Sequence, residues 1–265
     1  MKTIFITGSN SGIGLETAKL FASKGWRVIA TMRNLGKAGE LKNIENVVIM
    51  PLDLNNSAQI RETCQKALKE YDVDVLLNNA GYAIMGPLES LAEDDIRKLY
   101  DANVIGTTLV TQQFIPHFKA RKSGVIMVTT SLAGIIGLPR DGVYGASKRA
   151  LQGLVESIYY ELKPYGVQVK AMIPGGTKTN FQIPINIVGE YEEVMHRQRM
   201  FILNGEEEFP DGKEAAEVIW TAATDGEDKM NYATDHVCQI LYDKYLSMGI
   251  EDFKVYFSNL LYDKK

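Results

Sequence analysis

Apolar residues along this chain fall in short, unbroken runs separated by stretches with helical spacing. Thr3–Thr7, Arg27–Met32, Val47–Met50, Val73–Leu77, Gly124–Thr129 and Gln168–Ile173 are nearly continuous in Ile, Val, Leu, Met and Ala. Strict alternation would suggest strands wet on one face, whereas continuous runs suggest strands covered on both. Between them, helical periodicity appears near Ile13–Ser23, Ser57–Tyr71, Glu93–Lys119 and Tyr144–Lys163. Strands alternating with helices predict an α/β fold with a doubly wound, mostly parallel sheet and right-handed crossovers.

After Pro174 the pattern loosens. Residues 181–204 mix Ile, Met and Phe with charges, and a helix near Lys213–Thr224 is expected with Asp211 as its N-cap. The Tyr- and Leu-rich tail, residues 231–265, reads as one late strand with docked helical pieces. No linker composition, internal repeat or low-complexity stretch interrupts the chain, so residues 1–265 are expected to form a single domain.

Composition narrows the function. The 265 residues are 45% hydrophobic and 23% charged with a net charge of −4, which favours neither nucleic acid nor an anionic membrane. No apolar run reaches the roughly eighteen residues of a membrane span. The start, Met1–Thr7, runs straight into a strand without a leader pattern, so no signal peptide is expected. Two distant cysteines, Cys64 and Cys238, suit a reduced, cytoplasmic setting. His117, His196 and His236 lack metal-ligand spacing, and no metal site is expected.

The first strand runs into Thr7-Gly8-Ser9-Asn10-Ser11-Gly12-Ile13-Gly14 and then the first helix. This is the context of a dinucleotide-binding turn, although the spacing is G-x-x-x-G-x-G. Gly8 permits a tight turn, Gly12 lets a pyrophosphate approach the backbone, and Gly14 lets the helix pack on the sheet. The candidate phosphate-side residues are therefore Gly8, Ser9, Ser11, Gly12, Ile13 and Gly14, at a helix N-terminus with free N–H groups. At the end of the second strand, Met32 stands where an acidic residue would meet a free ribose hydroxyl, and Arg33 follows. A guanidinium suits a 2′-phosphate, so NADP(H) is expected over NAD(H).

Tyr144 and Lys148 lie four residues apart, on one face of an expected helix. A unit charge about 4 Å from a phenol, at an effective dielectric near 20, is worth roughly 4 kcal/mol, or about three pKa units. The expectation is a tyrosine whose pKa falls from about 10 toward neutrality, fit for general acid–base work.

With these residues in hand, the chain resembles the short-chain dehydrogenase/reductase family over about residues 3–180. The matching motifs are the Thr7–Gly14 turn, Asn78-Asn79-Ala80-Gly81 after the fourth strand, Asn103, Ser131, Tyr144 with Lys148, and Pro174-Gly175 followed by Thr179. The resemblance implies a Rossmann fold of about seven strands. It implies a catalytic set of Asn103, Ser131, Tyr144 and Lys148. It assigns cofactor contacts to Arg33, Asp53, Leu54, Asn79, Ala80, Gly81, Tyr144, Lys148, Pro174, Gly175, Thr177 and Thr179, with Asp53 at the adenine.

The reaction implied is hydride transfer between NADP(H) and a carbonyl/alcohol pair. Tyr144 would supply the proton, Ser131 would hydrogen-bond the substrate oxygen, and Asn103 would hold a relay water. Ser131 and Tyr144 are the expected substrate contacts. A lid over about residues 181–209, with apolar residues such as Met195, Met200 and Ile202, suggests a hydrophobic ketone or aldehyde. The long helices near 93–119 and 144–163 would suit a homodimer or homotetramer. Two alternatives remain at this point. One is a noncatalytic NADP sensor or scaffold, against which the complete four-residue set argues. The other is a sugar-nucleotide epimerase or dehydratase, for which a larger C-terminal domain is expected.

Overall fold

The structure, a computed structural model, describes residues 1–178 and 191–262. Strands and helices alternate through the first two thirds: β1 (Thr3–Thr7), α1 (Gly12–Ser23), β2 (Arg27–Met32), β3 (Val47–Pro51), α2 (Ser57–Glu70), β4 (Val75–Asn78), α3 (Glu93–Tyr100), α4 (Thr107–Arg121), β5 (Gly124–Thr129), α5 (Gly142–Leu162) and β6 (Val167–Ile173). Then follow α6 (Glu192–Leu203), α7 (Gly212–Thr224), β7 (Asn231–Ala233) and α8 (His236–Tyr262). The seven strands form one parallel sheet in the order β3-β2-β1-β4-β5-β6-β7, a Rossmann-type topology. The winding direction reverses between β1 and β4, and the crevice at their carboxyl ends is where such sheets bind ligands.

The unbroken apolar strands arise because both faces of the sheet are covered. Within β1, Phe5 faces a core built with Ile60 and Cys64 of α2, Phe114 of α4 and Val155 of α5. Its neighbours Ile4 and Ile6 face the opposite core with Phe21 of α1 and Ile219 of α7. Each such side chain, fully buried, contributes on the order of 1.5–3 kcal/mol. Asp211 caps α7 by accepting from Lys213 N at 3.0 Å, as its sequence position suggests.

Two elements differ from expectation. The fourth strand begins at Val75, not Val73, because the Val73 carbonyl accepts from His117 Nε2 at 2.8 Å and Arg121 Nη1 at 2.6 Å. The helix expected over Glu93–Lys119 is interrupted by a π-turn over Asp101–Gly106. Two contacts account for the bulge. Asn103 is drawn to the backbone of Tyr82, and Gly106 packs so closely on the loop after β3 that a Cβ there would meet Leu54 O at 2.5 Å.

The tail supports the site. Helix α8 breaks at Gly249, whose φ of 73° is left-handed, and its second half buries Phe253, Phe257 and Leu261. Phe201 of α6 packs at a tilt against Phe257 with ring centroids 4.7 Å apart, so the tail braces α6.

Candidate active site

The turn after β1 is built by the absence of side chains. Gly8 has φ +71°, and a Cβ there would meet Ala80 Cα at 2.9 Å. A Cβ on Gly14 would meet Gly8 O at 2.3 Å and Asn79 Nδ2 at 2.5 Å. The Asn78–Gly81 segment is stitched to this turn. Thr7 Oγ1 accepts from the backbone N of Asn79 and of Ala80, both at 2.9 Å, and Asn79 Nδ2 donates to Thr7 O at 3.1 Å. Asn78 Nδ2 donates to Thr111 Oγ1 of α4 at 3.0 Å, so both asparagines hold the framework.

Helix α1 begins at Gly12 after an extended Ser11 that makes no side-chain capping bond, and no acidic residue occupies its first turn. Its leading N–H groups therefore face the cleft without a carboxylate competing for them. Ser9, expected on the cofactor side, is a correction: it is fully buried, its hydroxyl donates to Ile6 O at 3.2 Å, and its backbone N donates to Thr31 O at 3.0 Å. Its polar groups hold β1 and β2 together instead.

Beside the turn lies a cleft of about 230 Å³ lined by Gly8, Ser11, Asp53, Leu54, Asn79–Gly81 and Arg33. Arg33 is exposed at the end of β2, and Met32 before it is buried.

Ser131 follows β5 in an extended conformation, and Tyr144 lies in the first turn of α5. The two side chains are hydrogen-bonded to each other, and Ala133 N donates to Ser131 Oγ at 3.1 Å. Tyr144 is 9% exposed and Lys148 only 4%. Lys148 Nζ lies 6.0 Å from the Tyr144 ring centroid and donates to Thr129 O at 2.8 Å.

Here the expected electrostatics need correction. Burial pushes the Tyr144 phenol up to about 12; the hydrogen bond from Ser131 pulls it down, and the nearby Asp141 charge adds to the rise. Burial also lowers the Lys148 ammonium from its ordinary 10.5 to about 8. Helical spacing brought the pair together, but loss of water is the largest influence on each group.

Asn103 is buried in the π-turn. Its Oδ1 accepts from Tyr82 N at 3.0 Å, and its Nδ2 donates to Tyr82 O at 2.8 Å and Ser147 Oγ at 3.2 Å. The side chain is thus fully engaged with protein. Gly81 passes close by: a Cβ there would lie 3.0 Å from Asn103 Oδ1 and 3.5 Å from Lys148 Nζ.

Ser131 and Tyr144 open on a second cavity of about 600 Å³. Ile13 of the glycine turn and Pro174–Thr177 after β6 border it, and Met195, His196, Arg199 and Ile202 of α6 form another wall. Met195, His196, Arg199, Ile202 and Phe209 of the span expected as a lid border this cavity; residues 181–190 and Thr179 lie outside the described residues. Thr177 Oγ1 is buried without a hydrogen-bond partner. An unpaired hydroxyl, an uncapped helix start and a turn stripped of Cβ atoms along one crevice fit a nicotinamide dinucleotide.

Three residues escaped sequence reasoning. Asp235, just after β7, accepts from Gly175 N at 3.1 Å and Cys238 N at 2.7 Å, and so fixes the Pro174–Gly175 loop. Arg140 and Asp141 line the larger cavity just before α5. Burial raises the Asp141 carboxyl to about 7, against the opposing pull of Arg140. Arg140 follows a proline in a polar loop, where nothing in the sequence distinguishes it from a solvated charge.

A parallel sheet with a glycine turn at its switch point and a Ser–Tyr–Lys cluster beside it defines a dinucleotide-binding oxidoreductase. The chain belongs to the short-chain dehydrogenase family, whose model, described as "short chain dehydrogenase", matches residues 2–187. The 17-beta-hydroxysteroid dehydrogenase type 1 of Homo sapiens is 35% identical over 254 residues, covering 87% of this chain and 76% of its own. Retinol dehydrogenase 8 of Bos taurus is 33% identical over 190 residues, 68% of this chain and 61% of its own. A solved short-chain dehydrogenase from Streptomyces avermitilis superposes with a TM-score of 0.86 at 25% identity, covering 97% of this chain and 95% of its own.

Proposed function

We propose that this protein is an NADP(H)-dependent oxidoreductase that interconverts a hydrophobic ketone or aldehyde and its alcohol. The observation that carries the reading is the Ser131–Tyr144 hydrogen bond at the mouth of the larger cavity, with Lys148 buried behind it.

A bound nicotinamide supplies or accepts the hydride at the carbonyl carbon. In the reducing direction Tyr144 gives its proton to the carbonyl oxygen. Its phenol, held up at about 12, stays loaded at neutral pH and suits this donor role. Ser131 donates a hydrogen bond to the same oxygen and stabilises the charge that develops there. Lys148, at about 8, exchanges protons near neutrality and reloads Tyr144. Asn103 acts as a positioning residue, tying the Tyr82 backbone to Ser147, next to Lys148.

Arg33 at the end of β2, with no carboxylate at Met32, supports NADP(H) over NAD(H). The substrate class rests on Met85, Leu132, Leu138, Met195, Ile202 and Phe209, which make the cavity wall largely apolar. Two relatives bear the names of hydroxysteroid and retinol dehydrogenases, and both names denote large apolar alcohols.

The test follows nicotinamide absorbance with NADPH and a panel of ketones and aldehydes graded by size and polarity. Turnover is expected with bulky apolar carbonyls, and Tyr144→Phe should lower it by about 10²-fold or more while NADPH affinity stays near wild type. Full turnover by Tyr144→Phe would rule out the assigned proton donor.

A further inference from the structure

Arg140 sits in a conformation that its neighbours enforce. Its φ is +64°, in the left-handed region that non-glycine residues seldom occupy. Gly86 N donates to its carbonyl at 3.1 Å and pins the backbone there. Such strain persists where surrounding structure over-determines it, and it gathers at ligand sites.

The side chain has an equally unusual setting. Arg140 lines the larger cavity together with Ser131 and Tyr144. Its Nε and Nη2 are buried and have no hydrogen-bond partner. Asp141 is its sequence neighbour and feels its charge, yet no ion pair forms between them. Buried N–H groups in native proteins are almost always paired, and a guanidinium loses more than most by going without. Two N–H groups on one planar fork match an oxygen acceptor.

We infer that Arg140 anchors an oxygen acceptor on the substrate, remote from the reacting carbonyl, so that the preferred substrate is an apolar ketone bearing a second oxygen function. The inference rests on the proposed carbonyl/alcohol function and adds the substrate feature that the cavity selects. Apolar walls bind the body of such a molecule, and the guanidinium fixes which end reaches Tyr144. A site with a polar group waiting for a partner discriminates strongly against analogues that lack it.

The experiment uses matched aryl alkyl ketones, without and with a carboxylate or a second carbonyl at the far end. Each is assayed with NADPH against wild type, Arg140→Ala, Arg140→Lys and Arg140→Gly. Glycine accepts the backbone conformation, so the last variant separates loss of the guanidinium from backbone strain. Wild type should favour the acceptor-bearing members in kcat/KM by about tenfold or more, mostly through KM. That ratio should fall toward one in the alanine and glycine variants alike and recover in part with lysine. Calorimetric binding of the same ketones to the NADP-loaded proteins should follow the same order. An equal preference in wild type and Arg140→Gly, by turnover and by binding, overturns the inference. If no ketone is turned over while binding still depends on Arg140, the redox assignment fails and the anchor stands.

Discussion

Lys148→Met removes a buried ammonium from beside Tyr144, and its consequences for stability can be worked out. In the folded protein burial lowers this group from 10.5 to about 8. A gap of about 2.5 units corresponds to roughly 3 kcal/mol, the cost of keeping the charge in place below pH 8. The unfolded chain holds its proton up to about 10.5, so between the two values unfolding takes up a proton. Stability of the wild type therefore rises with pH across that window. Methionine has no proton to lose, and the other titrating groups are common to both proteins. Losing the bond to Thr129 O, 2.8 Å in wild type, costs the variant about 1–3 kcal/mol at every pH. At pH 7 the two effects offset, and the variant should unfold at a urea concentration equal to or above that of wild type. From pH 8 to 10 wild type should gain most of those roughly 3 kcal/mol on the variant. Urea unfolding of both cofactor-free proteins at pH 7, 8, 9 and 10 measures the difference. If the two stability curves run parallel across this range, the ammonium is not held at a depressed pKa and the reasoning fails.

Three further outcomes are expected. Arg33→Ala should raise KM for NADPH about ten- to a hundredfold and leave KM for NADH nearly unchanged, as steady-state kinetics with both cofactors will show; an unaltered preference would remove Arg33 from the 2′-phosphate. Gly14→Ala drives a Cβ against Gly8 O, so both cofactor affinity and thermal stability should fall, by about 1–3 kcal/mol in the latter, measured by fluorescence titration and calorimetry. Gly81→Ala presses on Asn103 and Lys148 rather than on the glycine turn, so kcat should drop several-fold more than NADPH affinity; equal losses in both would count against the positioning role of Asn103.

Much of this architecture was legible in the sequence because its causes are local. A strand covered on both faces must be apolar at every position, and the β1 and β2 runs mark such strands with the boundaries observed. Gly8 and Gly14 stand out because a Cβ would meet Ala80 at the first and Gly8 O at the second, and Gly12 because its φ of 56° is left-handed. Where the cause is distant, the sequence is silent. The π-turn at Asn103 depends on the backbone of Tyr82, 21 residues away, and periodicity alone made Glu93–Lys119 a single helix. Helix α6 has a mixed pattern because Phe201 docks on the far half of α8, and no local period records that contact. Asp235 reaches Gly175 across 60 residues. Spacing put Tyr144 and Lys148 on one face, but a pKa depends on the water removed from around it, which only the packed molecule reveals.

Gly106 seats the π-turn helix directly on the carbonyl of Leu54, with no side chain between them. The loop that lines the smaller cleft is thus braced against the same rod that carries Asn103 toward Lys148. Neither the loop nor the rod can slide without shifting the other, so a substitution at Gly106 would be felt at Asn103 as well as at Leu54.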